Sequence, residues 1–86
     1  MNRTTSRQHR IVIFTSSTCA WCEALKRYLQ KHRFRYRELD VSRDSRAEKE
    51  LERRGIRSVP VALIDNHPVI GFDREKINRL LDIRRP

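Results

Sequence analysis

Long apolar runs are missing from this chain of 86 residues. Its longest stretch without a charge, Ile11 to Cys22, is twelve residues and carries four hydroxyls and two thiols. A bilayer-spanning helix needs about 20 apolar residues, so no membrane association is expected. Cysteine is almost as scarce: a small secreted scaffold usually has roughly four or more, and here there are 2, Cys19 and Cys22. Closing so short a loop stabilises a fold by only about 2 kcal/mol, which leaves reactivity or metal binding as its purpose. The histidines His9, His32 and His67 have no zinc-ligand spacing among themselves. Zinc usually wants four ligands, so no metal is expected. Acidic side chains are outnumbered 11 to 20, and sixteen of the basic ones are Arg. The run from Met1 to Arg10 is basic, without an apolar segment ending in a small-residue cleavage site. It sets the expectation of a cytoplasmic protein rather than a secreted one.

What is present fits one small domain. Hydrophobic residues are 37% and charged ones 36%, a globular balance with a heavily charged surface. Residues 1–9 are polar, basic and patternless, and read as a flexible N-terminal arm before a domain over 10–86. Ile11 to Phe14 is continuously apolar and β-branched, the pattern of a strand buried on both faces. Thr18 is a suitable N-cap for a helix from Cys19, with Cys22, Leu25 and Leu29 on its inner face. Phe34 to Val41 alternates apolar with charged residues over its first half, which predicts an edge strand. Ser45 and Glu48 form a capping-box pattern for a second helix ending at Gly55. Pro60 to Ile64 is a second apolar strand, Asp65-Asn66 a turn, and His67 to Ile70 a short edge strand containing Pro68. Asp73 is placed to cap a last helix with Ile77, Leu80 and Leu81 inward. The predicted order is β-α-β-α-β-β-α, an α/β domain with a four-stranded mixed sheet.

The Cys19-Ala-Trp-Cys22 motif stands where the first strand feeds its helix. A sulfur at a helix N-terminus meets unpaired backbone N–H groups and the positive end of the helix dipole. Both favour thiolate, so Cys19 is the expected nucleophile. Cys22, one turn further in, is the expected resolving thiol, three residues away and within disulfide reach. Pro60 reads as a strand start. With a cis bond it would instead present the Val59 backbone beside the active sulfur, ready to pair with an extended substrate. Trp21 either stacks on a partner protein or covers the edge of the helix, and Phe72 has the same two readings.

Taken together, Ile11 to Cys22, Ser58-Val59-Pro60 and Val69 to Asp73 resemble the glutaredoxin-like members of the thioredoxin superfamily. The resemblance spans about residues 10 to 83. It implies a thioredoxin-like domain that reduces protein disulfides or mixed disulfides by thiol–disulfide exchange, without a tightly bound cofactor. It further implies that Cys19 attacks, Cys22 resolves, and Val59 with Pro60 docks the substrate backbone. Of the family's Gly-Gly…Asp-Asp signature for glutathione, Gly71 and Asp73 match, while Ile70 and Arg74 stand at the other two positions. Ser16 replaces a Lys, and Ala20 a Pro. Gly71-Phe72 also resembles the small redoxins that serve ribonucleotide reductase and are recharged by thioredoxin reductase. The electron donor stays open between glutathione as co-substrate and thioredoxin reductase, and a monomer is expected.

The formal charge of +9 raises nucleic-acid binding as a question. The arginines are scattered, though, and no stacking aromatics form an RNA- or DNA-binding motif, so nucleic acid is not the expected partner. Arg33, Arg35 and Arg37 read as a solvated face of the edge strand. The competing function is a non-catalytic binding module of the same fold, associated with metal or nucleic acid.

Overall fold

The computed structural model describes residues 9–84, so the first eight residues of the expected arm lie outside the described residues. At its centre is β1 (Ile11–Thr15), flanked by β2 (Arg37–Asp40) in parallel and β3 (Val61–Ile64) antiparallel. The strand β4 (His67–Ile70) pairs antiparallel with β3, giving the sheet order β2-β1-β3-β4. Three helices cover it: α1 (Ala20–Lys31), α2 (Ser45–Arg53) and α3 (Arg74–Leu81). The order β-α-β-α-β-β-α and the four-stranded mixed sheet are those expected from the sequence pattern.

The period of two along each strand sorts the core into two layers. Ile11, Ile13, Ala62, Ile64 and Val69 face Leu25 and Leu29 of α1 and Ile77 and Leu81 of α3. Phe14, Val61 and Leu63 face Ala47 and Leu51 of α2, with Ile56 beside them. The β3–β4 connection is the two-residue turn Asp65-Asn66, both at positive φ (50° and 74°), which matches the twist of a tight hairpin. Pro68 lies on the edge strand, where its missing N–H interrupts no ladder.

Four local expectations are corrected. Cys19, not Thr18, is the N-cap of α1, and the helix begins at Ala20. Asp44 caps α2 in place of Ser45, because its carboxylate accepts from both Arg46 N–H (3.0 Å) and Ala47 N–H (3.2 Å). β3 starts at Val61 rather than at Pro60, whose ring nitrogen has no hydrogen to give the ladder.

The fourth is β2, which covers only Arg37–Asp40, because Phe34 belongs to the end of α1. Arg33 turns left-handed (φ 64°), Arg33 N–H donates to Gln30 O at 3.0 Å, and Phe34 N–H donates to Leu29 O at 2.9 Å. That is a Schellman ending, and its usual apolar contact places Phe34 on the α1–α3 core. The same motif closes α2 at Gly55 (φ 73°), with Ile56 N–H donating to Leu51 O at 2.9 Å. Among the described residues, no helix is long and apolar enough to cross a membrane.

Candidate active site

Strand register gathers the motifs at one end of the sheet. Phe14 pairs with Val61 and Thr15 with Asp40, while Gly71 N–H donates to Pro60 O at 2.8 Å. The last residues of β1, β2 and β4 and the first of β3 therefore share one rim. From it leave the loop to Cys19, the Val59–Pro60 segment and Gly71-Phe72-Asp73.

Cys19 is extended (φ −102°, ψ 108°), as an N-cap residue is, and its Sγ accepts a hydrogen bond from Cys22 N–H at 3.1 Å. Cys19 and Cys22 are joined as a disulfide with a Cα–Cα distance of 5.3 Å. Cys19 is half-buried, whereas Cys22 is 1% exposed. The outer cysteine is thus partly open to solvent and the inner one is not. The Val59–Pro60 bond is cis and Pro60 is buried.

Trp21 projects from the first turn of α1, 65% exposed, its ring centroid 6.2 Å from that of Phe72. Phe72 in turn meets Tyr28 edge-on at 5.7 Å. Trp21, Ile70, Phe72, Asp73 and Arg74 line an open depression of about 590 Å³ beside the motif. Gly71 has φ 81°, a conformation that would strain any side chain, although a Cβ there would meet nothing within 4 Å. Backbone conformation, not close approach, asks for this glycine. Asp73 caps α3, its carboxylate accepting from Lys76 N–H at 3.2 Å. Arg74 lies over the Tyr28 ring, 5.8 Å from its centroid.

Two polar clusters near this rim were not foreseen. Thr15, 1% exposed, donates to Glu38 at 2.8 Å, and Glu38 holds Lys26 at 3.2 Å. Lys26 also pairs with Glu23 at 2.9 Å. The hydrogen bond that Lys26 donates to Glu23 is the main cause that raises the Lys26 pKa above its ordinary value, with Glu38 adding to it and partial burial opposing. Only the three-residue spacing of Glu23 and Lys26 signalled any of this in sequence. In the second cluster, the Ser42 hydroxyl and N–H hold the Asp40 carboxyl below its usual range. The Ser42 and Ser17 hydroxyls also hydrogen-bond at 3.3 Å, tying the loop after β2 to the loop before Cys19. Among the described residues, no three His, Cys, Asp or Glu side chains converge as a metal site would require.

The family model described as Glutaredoxin matches residues 11–69. The glutaredoxin-like protein NrdH of Escherichia coli K12 is 34% identical over 71 residues, covering 83% of this chain and 88% of that one. A glutaredoxin-like 8.6 kDa protein of the rubredoxin operon of Clostridium pasteurianum is 30% identical over 73 residues, covering 84% and 97%. Among solved structures, the Escherichia coli NrdH-redoxin superposes with a TM-score of 0.77 at 34% identity, over 83% of this chain and 93% of that one. The thioredoxin-like protein BC3987 superposes with a TM-score of 0.78 at 32% identity, over 83% and 99%.

Proposed function

The chain belongs to the glutaredoxin family and is a small dithiol–disulfide oxidoreductase of thioredoxin fold, and from that premise we propose roles for its residues. Cys19 is the nucleophile and Cys22 the resolving thiol. The observation that carries this assignment is the Cys22 N–H donating to Cys19 Sγ at the start of α1. In the reduced protein, that donor and the helix dipole favour a Cys19 thiolate. The thiolate attacks one sulfur of a substrate disulfide, forming a mixed disulfide and expelling the first substrate thiolate. Cys22 then loses its proton and attacks Cys19 Sγ, expelling the second substrate thiolate and leaving the Cys19–Cys22 disulfide. A dithiol donor returns the two electrons and two protons.

Val59 and Pro60 hold the substrate backbone during the mixed-disulfide stage, and Trp21, Gly71, Phe72 and Asp73 extend the substrate surface beside them. Substrates are disulfide-bearing proteins, in a reducing compartment such as the cytoplasm. All the residues of the cycle lie on one chain, so a monomer suffices. Thioredoxin reductase is the electron donor that fits best. Asp73 is occupied as a helix cap, and Ile70 and Arg74 stand where glutathione recognition has Gly and Asp. The similar Escherichia coli NrdH-redoxin, moreover, is described by a thioredoxin-like activity profile.

Paired NADPH-consumption assays test the reading, one arm with thioredoxin reductase and the other with glutathione and its reductase. Turnover in the first arm is expected; turnover confined to the second would reverse the choice of donor. Cys19→Ser should abolish turnover while preserving the fold, since Ser is a strong N-cap. Cys22→Ser should accumulate mixed disulfides on Cys19, visible by mass spectrometry. An active Cys19→Ser protein would sink the assignment.

A further inference from the structure

Beside Val59, on the α2 side of the sheet, the surface opens into a groove of about 540 Å³. Its apolar floor is made of Val41, Leu51, Ile56 and Val59, and its rim carries Glu48, Glu52 and Arg57. The two glutamates are four residues apart on α2 and share a face. Their state is unusual for this chain. Of its 11 acidic residues, Glu23, Glu38, Asp40, Glu50, Asp65 and Asp82 form ion pairs. Asp44 and Asp73 cap helices. Among the described residues that leaves Glu48, Glu52 and Glu75 with neither an ion pair nor a capping role, and two of these three border one groove. A chain of charge +9 thus keeps a small acidic island next to its substrate-docking segment.

We propose that this groove binds the polypeptide running on from the substrate cysteine. One apolar side chain rests on Val41, Leu51, Ile56 and Val59, and a Lys or Arg close after it meets Glu48 and Glu52. The inference rests on the reading of Val59 and Pro60 as the substrate-docking segment, and it names the class of substrate that segment serves. Arg57 carries only donors, so it meets a peptide carbonyl, while the rim's acceptors are the two carboxylates. A cationic donor is their complement, and its aliphatic stem can lie along the apolar floor. The island acts at contact range, because the wider positive field is screened within about 8–10 Å at physiological salt. The same carboxylates repel a small thiol bearing two carboxylates of its own, such as glutathione, and so favour a protein substrate.

The test uses the full chain, reduced beforehand, and symmetric disulfide dimers of a short peptide in which Cys is followed by Leu-Lys, Leu-Gln, Leu-Glu or Ala-Lys. Each dimer is reduced to two thiols as the protein is oxidised, and the rate is followed by the fluorescence of Trp21, the 1 tryptophan present. The expected order is Leu-Lys, then Leu-Gln, then Leu-Glu, spanning about tenfold for two exposed ion pairs. Ala-Lys should be about threefold slower than Leu-Lys, for the lost apolar contact. In the Glu48→Gln/Glu52→Gln double variant the charge order should collapse to within about twofold, with the Leu-Gln rate and the Leu preference unchanged. A charge order that survives the double variant, or is absent from the parent, overturns the proposal, as does indifference between Leu and Ala. Bis(2-hydroxyethyl) disulfide, small and neutral, separates the failures. If it reacts normally while the peptides show no order, the groove is wrong and the Cys19 assignment stands. If it does not react, both fall.

Discussion

Asp73 sits at a position where two roles compete, capping α3 and binding a thiol ligand, and substitution separates them. Its carboxylate accepts the Lys76 N–H at 3.2 Å, a bond at the long end of the normal range. Removing an N-cap acceptor costs about 0.5–2 kcal/mol, and the length of this bond argues for the middle of that span, about 1 kcal/mol. The negative charge adds about 0.3–0.5 kcal/mol through the helix dipole, less than its maximum because Glu75 already supplies charge in the first turn. Asp73→Ala should therefore destabilise by about 1.3–1.5 kcal/mol, and Asp73→Asn, which keeps the acceptor, by about 0.3–0.5 kcal/mol. For a domain of this size, 1 kcal/mol moves Tm by about 4–8 °C. The expected losses are then roughly 5–12 °C for Ala and about 1–4 °C for Asn. The assay is thermal unfolding of the oxidised protein by circular dichroism, alongside turnover with thioredoxin reductase. Asp73→Asn should turn over at near the parent rate. If Asn costs as much stability as Ala, the cap argument fails. If Asn preserves Tm and abolishes turnover, the carboxylate charge serves a ligand and the cap is secondary.

Other perturbations probe the core and the ion pairs. Leu29, 0% exposed in the α1–α3 layer, should cost about 3 kcal/mol on truncation to Ala. The half-buried Leu80→Ala should cost under about 1 kcal/mol; equal urea midpoints for the two variants would contradict the layer assignment. The Asp65 carboxyl is held below its usual range chiefly by the His9 side chain and then by Arg10 N–H. Its stabilisation is present above the unfolded value near 3.9 and is lost as pH falls through the lower folded value. The Tm gap between parent and Asp65→Asn should accordingly be widest near neutrality and close below about pH 3.9. A gap that widens in acid is the wrong sign. Lys26 runs the other way, its pKa raised by Glu23 and Glu38. Its contribution holds up to about pH 10.4 and is lost as pH rises through the higher folded value. Lys26→Met, measured on the oxidised protein, should therefore converge with the parent only in strong alkali.

What was legible in the sequence follows from how local each signal is. The Asp65-Asn66 turn, the Asp73 cap and the apolar cores of β1 and β3 are written in neighbouring residues, and the structure has them where the pattern puts them. The start of α2 was misread by one residue because two adjacent side chains, Asp44 and Ser45, are both good caps. The carboxylate that reaches two N–H groups prevails. The first half of the predicted second strand failed for a less local reason. Alternation at Phe34 and Tyr36 imitates a strand, but Arg33 adopts the left-handed turn usually left to glycine, and Phe34 closes the helix. Thr15–Glu38–Lys26 could not be read at all, since β1, α1 and β2 each supply one member.

The one-residue shift at the start of α1 is where fold and chemistry meet. Had Thr18 been the cap, its hydroxyl would have taken an N–H of the first turn, and Cys19 would have been the first helical residue, its sulfur outside the ring of free donors. With Cys19 as the cap, the donor that any helix must satisfy at this point is satisfied by the reactive sulfur itself. On the proposed roles the contact serves both states: the Cys22 N–H faces sulfur in the disulfide and would face a thiolate after reduction. It is stronger when the sulfur is charged, so reduction strengthens the start of the helix and the helix in turn favours the thiolate. On the proposed roles, a larger thiolate fraction and a better leaving group at Cys19 follow from how α1 begins. The partner that holds this sulfur is backbone, the Cys22 N–H of the first turn.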